Sequence, residues 1–240
     1  MNLLRFIRKC RAGMYIIKAK ARPGFSQVGE DIIVNYLFQL LKIKQPSYLD
    51  IGTNFPVQGN NTYFFYNTGC RGVCIEPDPE LYAMIKATRP GDAVLNIGIG
   101  LNQENSANLY IFPHPYTGWN TFSEDEARNR ELQTGIKIKE EKRLPLKTIN
   151  EIIKDYFDPY PNFISIDVEG LDLDILKTLD LDKYKPEVIC AETITFNVDI
   201  GEEKKISGII NYLETKGYFV FADTHVNTIF CRTDVYKKKH

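Results

Sequence analysis

The chain has 240 residues, of which 43% are hydrophobic, 12% aromatic and 25% charged, the values of a globular protein with a sizeable core. No run approaches the roughly 20 apolar residues of a membrane-spanning helix, and no segment is Gly/Ser-, Pro- or Gln-rich enough to read as a disordered tail. Thirty basic against 31 acidic residues give a net charge of -1, too balanced for a duplex-binding protein.

In chain order, the amino end comes first and breaks that balance. Residues 1–22 carry Arg5, Arg8, Lys9, Arg11, Lys18, Lys20 and Arg22 and no acid, leaving 23 basic against 31 acidic residues, a net of -8, in the remainder. Leu3, Leu4, Phe6, Ile7 and the apolar residues of 14–17 are interleaved with those charges. Segment 1–25 therefore reads as a basic helix or extension that packs on the body or lies on an anionic membrane surface. No continuous apolar stretch follows the charges, which argues against a targeting peptide.

Residues 26–240 read as one domain. SYLDIG (47–52), GVCIEP (72–77) and AVLNIGIG (93–100) are strands, and GNNTYFFYNTG (59–69) and ELYAMIKATRPG (80–91) are the helices between them. Near-continuous Val/Ile/Leu strands alternating with helices predict a parallel sheet covered on both faces. An insertion at about 101–150 holds an extra strand (NLYIF), a Pro/Gly/aromatic stretch (FPHPYTGWNTF) and a charged segment, the composition of a lid or substrate loop. NFISIDVEG (162–170) and PEVICAET (186–193) are strands, and LDLDILKTLDL (171–181) and EEKKISGIINYLETKG (202–217) are helices. YFVFADTHVNTIFCR (218–232) is an antiparallel hairpin turning at residues 223–225. Five cysteines is an odd count, and Cys74 and Cys190 sit in apolar runs where a thiol packs as a small hydrophobe. That pattern predicts a reducing, cytoplasmic setting without a disulfide framework.

Ligands of such sheets bind beyond the carboxyl ends of the strands. Those ends carry Asp50, Glu76, Asp167 with Glu169, and Glu192, and converging carboxylates need hydroxyls, a cation or a cationic ligand to offset their repulsion. A nicotinamide fingerprint requires Gly-x-Gly-x-x-Gly, but Gly52 is followed by Asn54 and Val57 at the other two positions, so the pyrophosphate cradle is missing. One glycine after an acid, with a second acid closing the next strand, suits a nucleoside without phosphates whose ribose binds Glu76. S-adenosylmethionine is such a ligand, and its ammonium and sulfonium charges suit an acidic edge.

The strings SQVGED (26–31), LDIGTNFPVQGNNTYFFYNTGCRGVCIEPDP (49–79), NTFSED (120–125), SIDVEGLDLDILKTLDLDKYKPEVICAE (165–192) and VNTIF (226–230) occur in order over 205 of the 240 residues. They resemble the FkbM family of S-adenosylmethionine-dependent methyltransferases. Thr53 stands where that family usually has alanine, and Cys70 where related sequences often have tryptophan. The resemblance implies a class I methyltransferase fold, a Rossmann-like seven-stranded sheet whose last strand is antiparallel. It also implies O-methylation, typically of sugar hydroxyls in surface glycans or of natural products. It places Asp50, Gly52, Asn54, Asn61 and Thr62 at the first cofactor loop, Glu76 and Pro77 at the ribose, and Ile97 and Gly98 at the adenine. Gln27 and Glu30 are expected to close over the methionine end.

Methyl transfer to a sugar hydroxyl needs a base to take the proton or a divalent cation to acidify it. Asp167, Glu169 and Glu192 are candidates for either role, as ligands of Mg²⁺ or Mn²⁺ or as the base. His225 in the hairpin turn is a further candidate base, ahead of His114. Tyr116, Trp119, Asn120 and Thr121 have the character of a sugar platform, with the alternative that the aromatics pin the loop to the core. An NAD(P)-dependent oxidoreductase, a nucleic-acid methyltransferase and a nucleoside-binding scaffold are the competing classes. The second is disfavoured because no Pro-Pro-aromatic motif follows the strand at 162–170. The expected partners are a glycan acceptor and, through the basic amino end, the inner face of a membrane or a glycosyltransferase.

Overall fold

Short apolar strands make the centre of the sheet because every one of their residues is covered on one face or the other. The computed structural model describes residues 24–102, 104–168, 170–197 and 202–239. The basic segment 1–22 and Glu169 therefore lie outside the described residues. The parallel strands β1 (Tyr48–Ile51), β2 (Gly72–Ile75) and β3 (Ala93–Leu95) form one half of the sheet. β7 (Phe163–Ile166) and β8 (Val188–Glu192) continue it from β1 with parallel pairing. β11 (Tyr218–Asp223) and β12 (Asn227–Arg232) complete the order β11-β12-β8-β7-β1-β2-β3. β12 is antiparallel to both neighbours, so the hairpin supplies the reversed strand of the class I methyltransferase arrangement, with β11 at the edge.

Side chains alternate between two layers. Leu49, Ile51, Val73, Ile75, Ile164 and Ile166 pack against Ile152 and Ile153 of α5 (Ile149–Tyr156), Ile175 and Leu176 of α6 (Asp172–Thr178) and Leu213 of α7 (Ser207–Thr215). On the other face Tyr48, Cys74, Phe163 and Cys190 meet Val34, Leu37 and Phe38 of α1 (Glu30–Leu40), Phe65 of α2 (Tyr63–Asn67) and Ile85 of α3 (Pro79–Thr88). Burying each such aliphatic or aromatic side chain contributes on the order of 2 kcal/mol. Cys74 and Cys190 are fully buried core thiols.

Several expected boundaries move. The run 93–100 is two strands, because the chain leaves the main sheet after Leu95 and β4 (Gly98–Ile99) pairs instead with β6 (Glu140–Lys147). Asn96 makes the break, its side-chain amide donating to the carbonyls of Glu76 and Pro77. The charged part of the insertion is α4 (Glu124–Thr134) followed by β6, which pairs antiparallel with β5 (Ser106–Ile111). Glu202–Lys205 is a strand, β10, paired with β9 (Ile194–Asn197), and the helix expected there starts at Ser207. Helix propensity in EEKK yields to a tertiary ladder. Residues 24 and 25 belong to the body rather than to the amino extension: the Phe25 amide donates to Asp31, and its carbonyl accepts from the Asn60 amide. Among the described residues no helix is long and apolar enough to cross a membrane.

Candidate active site

The order of strands reverses between β1 and β7, and the backbone splays there at their carboxyl ends. The sequence DIGTN follows from that geometry. Gly52 has φ +77°, and a Cβ on it would fall 1.8 Å from the Asp167 carbonyl oxygen, so only glycine lets the β1 and β7 ends approach. Asn54 takes the left-handed conformation (φ 54°), tolerated by asparagine, and this turns its amide onto Glu76.

Two lobes open from this point and share Gly52, Asn54 and Asp167. The first, about 800 Å³ including space open to solvent, is walled mainly by apolar side chains: Ile51, Ile75, Leu81, Ile97, Ile99 and Leu171, with Leu109 and Phe122 from the insertion. Glu76, Pro77 and Gly98 lie in the same wall. Glu76 is 4% exposed. One of its oxygens accepts the Asn54 amide at 2.7 Å and the other the Asp78 amide at 2.8 Å. Burial pushes its carboxyl up to about 8, against the pull of those amides. A carboxylate oxygen accepts more than one hydrogen bond, so both keep capacity for ribose hydroxyls. Gly98 has a steric reason of its own: a Cβ there would lie 2.5 Å from the Phe122 ring.

The second lobe, about 710 Å³ on the same measure, is polar, with Gln27, Asp50, Gln58, Asn60, Asn61 and Ser165 in its wall. Asp50 is held from behind. Its Oδ2 accepts from Thr62 at 2.6 Å and Asn60 at 3.1 Å, with Arg89 at 3.7 Å. Arg89 is fully buried, donates to Asn60, Thr62 and Asp92, and so ties the first loop to the end of α3. Burial pushes the Asp50 carboxyl above its usual range despite that cation. The Oδ1 atoms of Asn54 and Asn61 are buried without a hydrogen-bond partner. The two orphaned acceptors give this lobe a demand for donors, beside an apolar lobe. This arrangement fits a ligand with an apolar nucleoside end and an ammonium-bearing end, and Gln27, Asp50, Asn54 and Asn61 are the residues that would hold the latter.

Four expectations are corrected by geometry. Glu30 does not face the cleft: its carboxylate accepts from Thr224, Asn227 and the Val28 amide, pinning α1 to the β11–β12 turn. Burial opposes its charge, but these bonds outweigh burial and hold the carboxyl below its usual range. Thr62 stands behind Asp50 and does not line either lobe. His225 is exposed in the β11–β12 turn, with φ 76°, and lies outside both lobes. Trp119 stacks on Tyr116 at 4.6 Å and packs edge-on against Phe112 in a small core under α4, and neither Trp119 nor Tyr116 lines a lobe. From that stretch Asn120 and Thr121 do line the apolar lobe. The Asn120 amide donates to Asp78 and its carbonyl accepts the Phe112 amide, which latches the insertion to the head of α3.

Among the described residues no group of three or more His, Cys, Asp and Glu side chains could hold a metal ion. Of the expected trio, Asp167 borders both lobes, Glu192 ends β8 opposite Asn227 and lines neither lobe, and Glu169 lies outside the described residues. Asn60, Asp78, Arg89, Phe122 and Ser165 were not expected in the site. Asp-Pro at 78–79 is a readable helix start, its Asp78 carboxylate accepting from the Glu80 and Leu81 amides. Arg89 carries no such signal, because an arginine closing a helix normally serves the macrodipole in solvent.

The chain is similar to several solved structures. A precorrin-6y C5,15-methyltransferase from Geobacter metallireducens is 13% identical, with TM-score 0.42 over 82% of this chain and 87% of that one. A TehB-like SAM-dependent methyltransferase from Corynebacterium glutamicum is 11% identical, with TM-score 0.43 over 93% and 97%. An O-methyltransferase from Bacillus cereus in complex with SAH is 14% identical, with TM-score 0.42 over 90% and 86%. No curated protein sequence matches the chain. The sequence model of the Methyltransferase FkbM domain matches residues 50–220, a span that contains every residue lining the two lobes except Gln27. The chain belongs to the FkbM family of S-adenosylmethionine-dependent methyltransferases.

Proposed function

We propose that this methyltransferase acts on a hydroxyl oxygen of a sugar in a glycan. The observation that carries the reading is the contrast between the lobes. An apolar lobe with one buried carboxylate suits the adenosine moiety. In the adjoining lobe, beyond the residues that hold the amino-acid end, Gln58, Ser165 and Asp167 suit an acceptor rich in hydroxyl donors, with Phe55 beside them. S-adenosylmethionine supplies a methyl group on a sulfonium, and transfer requires an acceptor oxygen in line with it at about 3 Å. Glu76 orients the ribose, and Gln27, Asn54 and Asn61 hold the amino-acid end. Asp167, the carboxylate common to both lobes, takes the hydroxyl proton as the new C–O bond forms and the methyl–sulfur bond breaks, the sulfonium leaving as a neutral thioether. Turnover that survives chelation supports the base.

Calorimetry with S-adenosylhomocysteine, with NAD in parallel, tests the cofactor. Incubation of the loaded enzyme with sugar-rich and phenolic acceptors, read by mass spectrometry, tests the substrate. Methyl ethers on sugars support the reading; methylation confined to phenols or to nitrogen overturns it.

A further inference from the structure

The wall of the polar lobe holds one side chain unlike its neighbours. Phe55 lies there among amides, hydroxyls and carboxylates, and no other aromatic residue lines that lobe. It is half-buried, yet it belongs to none of the hydrophobic clusters that form the core of the described residues. Its ring meets that of His114 in the insertion, with centroids 6.2 Å apart and planes at 79°. Such a perpendicular contact sets the tilt of the ring without covering both its faces. The backbone is restricted on either side as well: Asn54 is left-handed, and the buried Pro56 has its φ fixed by its own ring. An aromatic residue that the core does not use, held in place within a polar wall, is a surface for a ligand.

We infer that Phe55 is the face on which the ring of the acceptor sugar stacks, and that it thereby determines which acceptors the enzyme takes. That the ring is a sugar rests on the glycan reading above; which residue receives it is the new element. A pyranose has two unlike sides, C–H bonds on its faces and hydroxyls around its edge. The C–H face leaves water on an aromatic ring and makes weak contacts to its π electrons. The edge hydroxyls then meet Gln58, Ser165 and Asp167 in the same wall. Tyr116 and Trp119 are spent on each other, so the aromatic surface of the acceptor site comes from the first loop and not from the insertion. Phe55 directly follows Asn54, one of the residues that would hold the methyl donor, and Arg89 braces this loop through Asn60. The surface that receives the acceptor and the residues that hold the donor are therefore carried by one loop, which fixes the hydroxyl relative to the methyl group.

The test uses the full chain with S-adenosylmethionine and the methyl glycosides of glucose, galactose and mannose, with initial rates read by mass spectrometry on whichever is methylated fastest. Phe55→Leu keeps an apolar side chain but removes the flat ring, and is expected to raise KM for the glycoside about five- to tenfold. A stacking contact made equally in the bound and transition states leaves kcat within about twofold. Affinity for S-adenosylhomocysteine, measured by calorimetry, is expected to stay unchanged, which also shows that the variant is folded. Phe55→Tyr keeps the ring and is expected to keep the original KM. An unchanged KM in Phe55→Leu overturns the inference, and so does an equal rise in both variants. Weakening of S-adenosylhomocysteine in step with the KM of Phe55→Leu assigns the ring to the cofactor and equally overturns it. Methyl transfer to none of the glycosides strikes the glycan reading and the inference together, whereas a methylated glycoside indifferent to Phe55→Leu strikes the inference alone.

Discussion

The two lobes of the cleft differ in how they are built, and the difference separates recognition from chemistry. The apolar lobe is assembled from distant parts of the chain: the ends of β1, β2 and β7, the split after β3, and the insertion that reaches across to Asp78. The polar lobe is built mostly from one contiguous loop, residues 52–61, with Gln27, Ser165 and Asp167 facing it. That loop is held by a buried ionic cluster in which Arg89 joins Asp50 to Asp92 at 2.9 Å, and Asp92 accepts the Tyr48 hydroxyl at 2.8 Å. A contiguous loop needs such a brace to keep its amide side chains in place. A wall made of five parts is held by its own packing.

The comparison breaks most sharply at two residues. Asp167→Asn is expected to lower kcat by about 10²–10⁴ with little change in S-adenosylhomocysteine affinity, measured by steady-state kinetics beside calorimetry. An equal loss in both would make Asp167 a binding residue. Arg89→Met removes one partner of a buried ionic cluster and is expected to cost about 3–5 kcal/mol of stability in denaturant titration. A smaller loss would mean that Asp50 and Asp92 find other partners.

Glu76→Ala is expected to weaken S-adenosylhomocysteine by at least about tenfold, or 1.4 kcal/mol, without unfolding the chain. The pH dependence sharpens the assignment. With its carboxyl at about 8 in the empty fold against an ordinary 4.5, Glu76 favours the folded state below about pH 4.5, and this contribution is lost as pH rises through 8. Ribose hydroxyls donate to the ionised form, so binding releases a proton below that pH and affinity rises until about pH 8. Glu76→Gln should abolish both trends in thermal melts and calorimetry. The smallest effect is expected at the latch: Asn120→Ala frees the insertion from Asp78 and should weaken the nucleoside only a few-fold, about 1 kcal/mol, leaving kcat unchanged.

Much of the candidate site's position is legible in the sequence. Asp50, Gly52, Asn54, Glu76 and Asp167 stand at the ends of apolar runs, and strand ends in a parallel sheet converge whatever the rest of the chain does. The residues that were misplaced fail for a common reason. Glu30, Thr62, His225 and Trp119 carry side chains suited to a site, and side-chain type does not reveal which way the residue faces. Glu30 is turned away by two bonds to the β11–β12 turn, almost two hundred residues later in the chain. Trp119 is taken by Tyr116 and Phe112, its neighbours within the insertion.

The sequence alone determined the layered fold and the row of carboxylates along one edge, because hydrophobic periodicity and strand-end chemistry are local and survive without knowledge of partners. It also determined the basic amino end, which is a matter of counting charges. Tertiary structure decided the rest: that Arg89 is buried beneath the loop at 52–61, that EEKK is a strand, that the insertion closes the apolar lobe while Tyr116 and Trp119 pack away from it, and that α1 shows Ile32 and Tyr36 to solvent. EEKK depends on a ladder with the nearby β9 and the others on surfaces that meet across longer separations, and burial, which sets both pairing and pKa, is a property of that meeting and not of the residues taken singly.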